Sequence, residues 1–277
     1  MDEGNSFSID MNEAEQVEYF NEIKKWIKIY LKFDFSKYND SYIKRRIQSR
    51  MFYHRMNRFK DYFQFLKENK QEETKLLQNL TVNVTKFFRN PLLYDDIKTN
   101  VLPNIMKKDK VTIWSAGCSS GEEPYSLAIS ILEFLKKDTM PNNVKIYATD
   151  FDTDAIQKAI YGRYQRTQFS DTSQEIIDKY FTQEGTAYKV NEEVRESVTF
   201  IHHDLFQEKP IESCDLILCR NVVIYFTMEA KNKLYMVFYN TLNPEGYFIM
   251  GKSETLSGKA RELFSPVVLD NRIYQKL

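Results

Sequence analysis

The chain has 277 residues, of which 42% are hydrophobic and 28% charged, and its formal net charge at pH 7 is zero. This composition is typical of a globular protein with one large or two small domains, and the zero net charge argues against a general nucleic-acid-binding protein. No apolar run is long enough to span a membrane, no signal-peptide pattern opens the chain, and the three cysteines lack metal-ligand spacing, so a cytoplasmic protein is predicted.

The first third of the chain is predicted to be helical. Residues 1–10 are expected to form a disordered lead, and apolar residues from Glu13 to about Asn79 recur at helical spacing. No glycine occurs from Asn5 through Ala116, which fits short helices joined by polar turns. We therefore predict a helical N-terminal domain of four or five helices over residues 1–90.

A basic segment, Ser41–Lys60, lies inside this domain and holds seven Lys or Arg residues and no acid. Ile43, Ile47 and Met51 form an apolar stripe at i, i+4, which predicts a helix with one buried face. A solvated basic face is the ordinary interpretation. The alternatives are a docking surface for an acidic helical partner and a contact with phosphate backbones. His54 is expected to be a simple surface histidine. The candidate docking residues are Lys44, Arg45, Arg46, Arg50 and Arg55.

Residues 80–89 connect the two halves of the chain. Polar Asn83 and Thr85 lie among apolar residues, and Arg89 follows two phenylalanines. A turn with a surface arginine is the ordinary interpretation, but a guanidinium group is also suited to positioning a carboxylate. A helix is then predicted from Tyr94 to Met106, leading into the first strand.

The segment Val111–Ser126 carries the clearest functional pattern. A β-branched and aromatic run predicts a buried strand, small residues follow, and acids with a proline mark a helix start. Such a loop forms a cofactor pocket at the carboxyl end of a parallel sheet. The spacing Gly117-x-x-x-Gly121 matches neither the dinucleotide fingerprint nor a P-loop. The candidate cofactor residues here are Ala116, Gly117 and Glu123.

Two acids at the start of this helix indicate which cofactor fits. They would repel a pyrophosphate, whereas the ammonium, ribose and sulfonium groups of S-adenosylmethionine suit an acid-lined pocket. An ordinary βα turn with an acidic helix start is the alternative. A second strand, Lys145–Asp150, ends in an acid, and an acid at that place can hydrogen-bond ribose hydroxyls. Asp150 is therefore the candidate ribose ligand.

Strands and helices alternate at 111–115, 123–136, 144–149 and 153–160, which predicts an α/β fold. Residues 161–200 interrupt this alternation. We predict a small β-hairpin appendage there, with a helix at 174–180 and strand candidates at 187–190 and 197–201. In the following His202-His203-Asp204-Leu205, Asp204 could bond an adenine amino group and Leu205 could pack on the base. Adjacent histidines on a strand point to opposite faces, so no metal site is predicted.

The strand Cys214–Cys219 is predicted to bring Arg220, Asn221 and Tyr225 to the same sheet edge. An ordinary strand end is the alternative. The chain lacks an Asn/Asp-Pro-Pro-Tyr motif at this strand, which disfavours nucleobase N-methylation. A helix at 227–242, a strand at 247–250 and a hairpin turning at 270–271 complete the prediction.

Five segments together resemble the CheR family of chemotaxis-receptor methyltransferases. They are Asn83–Arg89, Ser115–Ser126, Ala148–Asp152, Cys219–Phe226 and Gly251–Glu254. The resemblance covers nearly the whole chain. It implies an α/β, Rossmann-like doubly wound methyltransferase domain over residues 91–277, with an all-helical N-terminal domain and a small β appendage. It also implies methyl transfer from S-adenosylmethionine to chemoreceptor glutamates, with S-adenosylhomocysteine as the product and no metal.

Residue roles follow from the same resemblance. Asn83, Thr85 and Arg89 are expected to face the methyl donor, with Arg89 on the carboxylate of either donor or substrate. Arg220 and Asn221 are expected to close over the donor, Tyr225 to orient the acceptor, and the basic segment to dock on receptor helices. Two alternatives stay open: a methyltransferase of RNA or a small molecule, and a non-catalytic regulator that binds donor and receptor.

Overall fold

A computed structural model describes residues 13–81 and 84–277 of the chain. The predicted lead at 1–10 lies outside the described residues. The chain divides into two compact units. The helical unit comprises residues 13–81 together with Tyr225–Thr227, and the α/β unit comprises residues 84–224 together with Met228–Leu277. In the helical unit the helices are α1 (Glu13–Tyr30), α2 (Asp40–Tyr53), α3 (Phe59–Glu68) and α4 (Lys70–Leu80).

The core of the helical unit confirms the predicted apolar stripe of the basic segment. Ile43 and Ile47 on α2 are completely buried, and Met51 nearly so. Burying side chains of this size contributes about 1.5–3 kcal/mol each. Leu66 of α3 and Leu76 of α4 are completely buried as well. One face of each amphipathic helix therefore supplies the core, while the charged residues of α2 lie on other faces.

A buried carboxylate ties α2, α3 and α4 together. Glu72 accepts hydrogen bonds from Arg50 Nε (2.9 Å) and Tyr62 Oη (2.7 Å), and His54 Nε2 lies 2.8 Å from its Oε2. Glu72 is only 3% exposed. The expectation of a simple surface histidine at His54 is wrong, because its ring nitrogen contacts this carboxylate. Arg50 likewise serves the fold of the unit.

We expect the helical unit to lose stability in acid through Glu72. Burial raises the pKa of Glu72, but hydrogen bonds from its partners outweigh burial and leave that pKa below its ordinary value. A depressed pKa stabilises the folded state above the unfolded value of about 4.3, and this stability is lost as pH falls through the folded pKa. Chemical unfolding at pH 7 and pH 3 should show a smaller pH effect in Glu72→Gln than in the wild type.

The matched control for this measurement is Glu73→Gln, which removes the same charge from the same helical turn. Glu73 forms no ion pair within residues 13–81 and 84–277. The free energy of unfolding of the Glu73→Gln variant should keep the wild-type pH dependence. Glu72→Gln should also lose about 3 kcal/mol at pH 7, because Arg50 is left without its buried partner. Equal pH dependence in the two variants would remove the assignment to Glu72.

The α/β unit is built around a seven-stranded sheet in the order β6-β2-β1-β7-β8-β10-β9. The first five strands in this order are parallel, and β10 and β9 are antiparallel additions. The strands of this sheet are β1 (Val111–Ala116), β2 (Val144–Asp150), β6 (Val198–His202), β7 (Cys214–Cys219), β8 (Leu242–Met250), β9 (Phe264–Val268) and β10 (Ile273–Lys276). The predicted α/β alternation and the C-terminal hairpin are confirmed.

Eight α-helices belong to the described part of this unit. They are α5 (Pro91–Asp96), α6 (Leu102–Ile105), α7 (Glu122–Leu135), α8 (Thr153–Tyr161), α9 (Gln174–Tyr180), α10 (Glu192–Arg195), α11 (Met228–Thr241) and α12 (Ala260–Leu263). A π turn, Ile97–Val101, joins α5 to α6, so the predicted helix at 94–106 is present with one irregular turn. β8 starts at Leu242 rather than at the predicted residue 247. Residues 243–246 form an irregularity in its pairing with β7, between the Cys214–Leu242 and Leu216–Tyr247 pairs. Among the described residues, no helix has both the length and the apolarity to span a bilayer.

The β appendage is a separate three-stranded antiparallel sheet. It consists of β3 (Arg163–Gln165), β5 (Ala187–Val190) and β4 (Phe181–Glu184), in that order. Of the two strand candidates predicted for the appendage, 187–190 lies in it, whereas Val198–His202 pairs in parallel with β2 in the main sheet. A short strand candidate shows no local sign of which sheet it will join, since that choice depends on distant partners.

Candidate functional site

The loop after β1 is shaped by glycines at its two ends. Gly117 has φ +80° and Gly121, the N-cap of α7, has φ +94°. The Gly117 and Cys118 amides both donate to the carbonyl of Thr149, at 2.8 and 2.9 Å, which fastens the loop to β2. A Cβ at Gly117 would come within 2.4 Å of Val222 Cγ2. The loop therefore needs glycine both for its backbone conformation and for the close approach of the segment after β7.

Asp150 lies at the carboxyl end of β2, beside this loop. Its Oδ2 accepts the Ser119 amide at 2.7 Å and its Oδ1 accepts the Asp152 amide at 2.9 Å. Burial raises the pKa of Asp150, although backbone hydrogen bonds oppose this. A carboxylate can accept about four hydrogen bonds, so acceptor capacity remains for a ligand. Its place, burial and spare capacity fit the predicted contact with ribose hydroxyls.

The two acids that open α7 both have partners inside the protein. Glu123 accepts a hydrogen bond from Ser115 Oγ at 2.9 Å and forms an ion pair with Arg220 at 3.1 Å. Glu122 is completely buried, bonds to Ser120 and Gln168, and has a pKa raised by burial. The predicted acidic lining is thus partly neutralised, because the charge of Glu123 is balanced by Arg220.

Arg220, at the end of β7, holds the turn that carries Arg89. Its Nη2 donates to the carbonyl of Arg89 at 3.0 Å and to Asn90 Oδ1 at 2.9 Å. Phe88 and Asn90 have φ of +51° and +63°, so this turn is in a conformation that needs such support. Ser126 Oγ of α7 accepts the amide of Phe88 at 2.8 Å. Arg220 was predicted to contact the methyl donor. In the structure its guanidinium instead has partners within the protein, namely Glu123, the Arg89 carbonyl and Asn90.

The side chain of Arg89 is less constrained than its backbone. It is partly exposed, and its Nη1 donates to the carbonyl of Val84 at 3.2 Å. The neighbouring Phe87 is completely buried and packs against Phe169 at 4.8 Å and Phe181 at 4.9 Å. Packing of Phe87 on the α/β core and the appendage thus fixes the backbone of Arg89. Its guanidinium is only partly buried and is therefore able to bind a carboxylate.

The segment after β6 holds its predicted residues in a local turn. Asp204 accepts the Phe206 amide at 2.8 Å and Gln207 Nε2 at 2.7 Å, and Leu205 is half-buried. His203 is buried, with Nε2 2.9 Å from the carbonyl of Lys209, while His202 is exposed. Residues 13–81 and 84–277 contain no cluster of three or more His, Cys, Asp or Glu side chains arranged to hold a metal.

Five predicted site residues remain, and they differ in how far they are available to a ligand. Ala116 is completely buried and offers no surface to a ligand, whereas Thr85 is partly exposed. Asn221 has φ +60° at the end of β7. Tyr225 belongs to the helical unit, with its ring 4.5 Å from that of Tyr42. Asn83 lies outside the described residues.

The predicted docking residues on and after α2 differ in their availability. Lys44, Arg45 and Arg55 are exposed. Arg46 lies with its guanidinium over the ring of Tyr42, at 5.3 Å, and Arg50 is committed to the buried Glu72. Two aromatic side chains that no sequence pattern singled out, Phe52 and Tyr53, are 80% and 72% exposed at the end of this helix.

Comparison with known proteins identifies close relatives over nearly the full length. Residues 83–273 match the family described as CheR methyltransferase, SAM binding domain, and residues 18–81 match the CheR methyltransferase all-alpha domain. A chemotaxis protein methyltransferase of Listeria monocytogenes is 33% identical over 260 residues, covering 93% of this chain and 96% of that protein. One of Borreliella burgdorferi is 31% identical over 268 residues, covering 92% of this chain and 93% of that protein.

A solved structure shows a weaker likeness. A protein of Methanococcus maripaludis, described provisionally as an S-adenosyl-L-methionine-dependent methyltransferase, gives a TM-score of 0.35 at 16% identity. The match covers 58% of this chain and 56% of that one. This likeness is too low to add to the two family matches.

Proposed function

The chain belongs to the CheR methyltransferase family, and from that premise we propose that it methylates glutamate side chains of chemoreceptors. The methyl group comes from S-adenosylmethionine, and the products are a glutamate methyl ester and S-adenosylhomocysteine. The observation that carries this proposal is the juxtaposition of the glycine-ended loop after β1 with Asp150 at the end of β2.

Asp150 is proposed to bind the donor's ribose hydroxyls, and the backbone at Gly117 to lie against its amino-acid portion. Asp204 and Leu205 are proposed for the adenine end, and Asn83, Thr85 and Asn221 for the rest of the donor. The donor supplies a methyl group already activated on a cationic sulfur. The Arg220–Glu123 pair is proposed to act mainly on the shape of this cleft, since each partner satisfies the other.

The chain's own contribution to the reaction is positioning. A glutamate side chain has an unperturbed pKa of about 4.3, so the acceptor is ionised at neutral pH without a general base. Holding two reactants in line while excluding water can lower a barrier by about 7–11 kcal/mol. Arg89 is proposed to hold a carboxylate through its planar guanidinium, and Tyr225 to orient the acceptor.

The helical unit is proposed to dock on the glutamate-bearing helices of a receptor. Lys44, Arg45 and Arg55 supply exposed positive charge, which complements an acidic helix. Phe52 and Tyr53 supply exposed apolar surface at the end of the same helix. Arg50 is removed from the docking set because of its bond to Glu72.

The thiols of Cys118, Cys214 and Cys219 are buried and form no disulfide bonds, which supports action in the reducing cytoplasm.

The proposal is tested by incubating the protein with methyl-labelled donor and cytoplasmic fragments of chemoreceptors. We expect label on the fragment that mild base releases, as an ester requires. A fragment whose exposed helix glutamates are replaced by glutamine is the matched control and should stay unlabelled. Base-stable label, or labelling of RNA with affinity that falls steeply with salt, would assign the enzyme to another substrate class.

A further inference from the structure

Glu254, just after β8, is a buried acid that the roles above leave unused. It is 3% exposed, and its Oε2 accepts the amide of Gly251 at 2.6 Å. Burial raises the pKa of Glu254, while backbone hydrogen bonds and the charge of Arg220 act in the opposite direction. The hydrogen bond to Gly251 holds the turn after β8, and the other carboxylate oxygen, Oε1, accepts no hydrogen bond from the described residues.

The turn at Gly251 lies against Asn221, in the segment that covers the loop after β1. Asn221 leaves β7 with φ +60°, and the next residue, Val222, packs so closely on Gly117 that no side chain would fit there. The position of Asn221–Ile224 therefore determines how much room the Gly117 loop has. Because Gly117 is the proposed floor of the donor cleft, a shift of this segment would change the cleft directly.

The packing around Gly251 supports the same conclusion independently. A Cβ at Gly251 would lie 2.8 Å from Glu254 Oε2, 2.9 Å from the Asn221 backbone nitrogen and 3.0 Å from Asn221 Nδ2. Residue 251 must therefore be glycine for the carboxylate and the segment to meet. Glu254 forms no ion pair within the described part of the chain. The charge of Arg220 nevertheless opposes the rise in the pKa of Glu254, which offsets part of the cost of burying this acid.

We propose that Glu254 is a positioning residue that holds the turn at Gly251 against Asn221, and so keeps Val222 against the Gly117 loop and sets the shape of the donor cleft. This inference rests on the proposed location of the donor site. It assigns Glu254 no contact with donor or acceptor. Its role is carried by the Gly251 amide, which only a hydrogen-bond acceptor at this position can bind.

The test measures donor affinity by calorimetry in the full chain, with S-adenosylhomocysteine as the probe. We expect Glu254→Ala to raise the dissociation constant about tenfold, because small displacements of a cleft wall weaken binding. Glu254→Gln keeps one oxygen for the Gly251 amide and should fall between alanine and wild type. Gly251→Ala leaves the carboxylate in place but displaces the same segment, so it should weaken binding as well.

Glu262→Gln is the matched control, because Glu262 is an exposed acid in the same region. It should bind the probe like wild type. Thermal unfolding of each variant separates a general loss of stability from a change in the cleft. Wild-type affinity in folded Glu254→Gln and Gly251→Ala would overturn the inference. The binding assay contains no receptor, so a failure of receptor methylation would count against the proposed substrate alone.

Discussion

Replacing Arg89 by alanine is expected to lower turnover about 100-fold while changing donor affinity less than about threefold. The backbone around Arg89 is held by Ser126, by Arg220 and by the packing of Phe87, none of which depends on the Arg89 side chain. The fold should therefore survive the substitution. What is lost is a guanidinium able to hold a carboxylate in place. Steady-state kinetics with a receptor fragment measure turnover. Calorimetric titration with S-adenosylhomocysteine measures affinity for the donor site.

Arg89→Lys is the companion variant, because it keeps the charge and removes the planar fork. Turnover between that of wild type and alanine would show that geometry contributes beyond charge. The two possible partners of Arg89 predict different results. If Arg89→Ala loses as much donor affinity as turnover, Arg89 binds the donor's carboxylate. That result would contradict the expected near-constant donor affinity.

Local patterns were sufficient to predict most of the α/β unit. The strands at 111–116 and 144–150 and the helices that follow them start and end within two residues of the prediction, because β-branched runs and helix caps are encoded in neighbouring residues. Asp150 was identified because it ends such a strand. The resemblance to the CheR family was carried by motifs of the same local kind, and the family match confirms it.

Interactions between distant residues could not be predicted in this way. Arg220 and Glu123 are 97 positions apart, so nothing near either residue indicates their ion pair. The same holds for Arg50, whose bond to Glu72 removed it from the docking set. Glu254 stands in the sequence only as part of a family motif, since nothing near it shows that Gly251 packs against Asn221. The sequence shows which charged groups the chain has. Only the fold shows which of them already have a partner inside the protein.

Replacing Asp150 by alanine is expected to weaken donor binding about 10- to 100-fold, which corresponds to about 1.5–3 kcal/mol for hydrogen bonds to a charged group. The donor's ribose would lose its proposed acceptor, and the Ser119 and Asp152 amides would lose theirs. The second loss also loosens the loop after β1, so alanine alone combines two effects. Calorimetric titration with S-adenosylhomocysteine measures their sum.

Two further variants separate these effects. Asp150→Asn keeps an oxygen acceptor for a backbone amide but removes the charge, so it should retain the loop and still bind the donor product more weakly than wild type. Asp152→Ala removes a neighbouring acid that caps α8 through the amides of Asp154 and Ala155. That variant should lose about 1 kcal/mol of stability, the usual cost of a lost cap, with donor affinity unchanged. If Asp150→Ala binds the probe as tightly as wild type, the ribose contact belongs to another residue. If Asp152→Ala weakens binding equally, the loss of affinity is not specific to the carboxylate of Asp150.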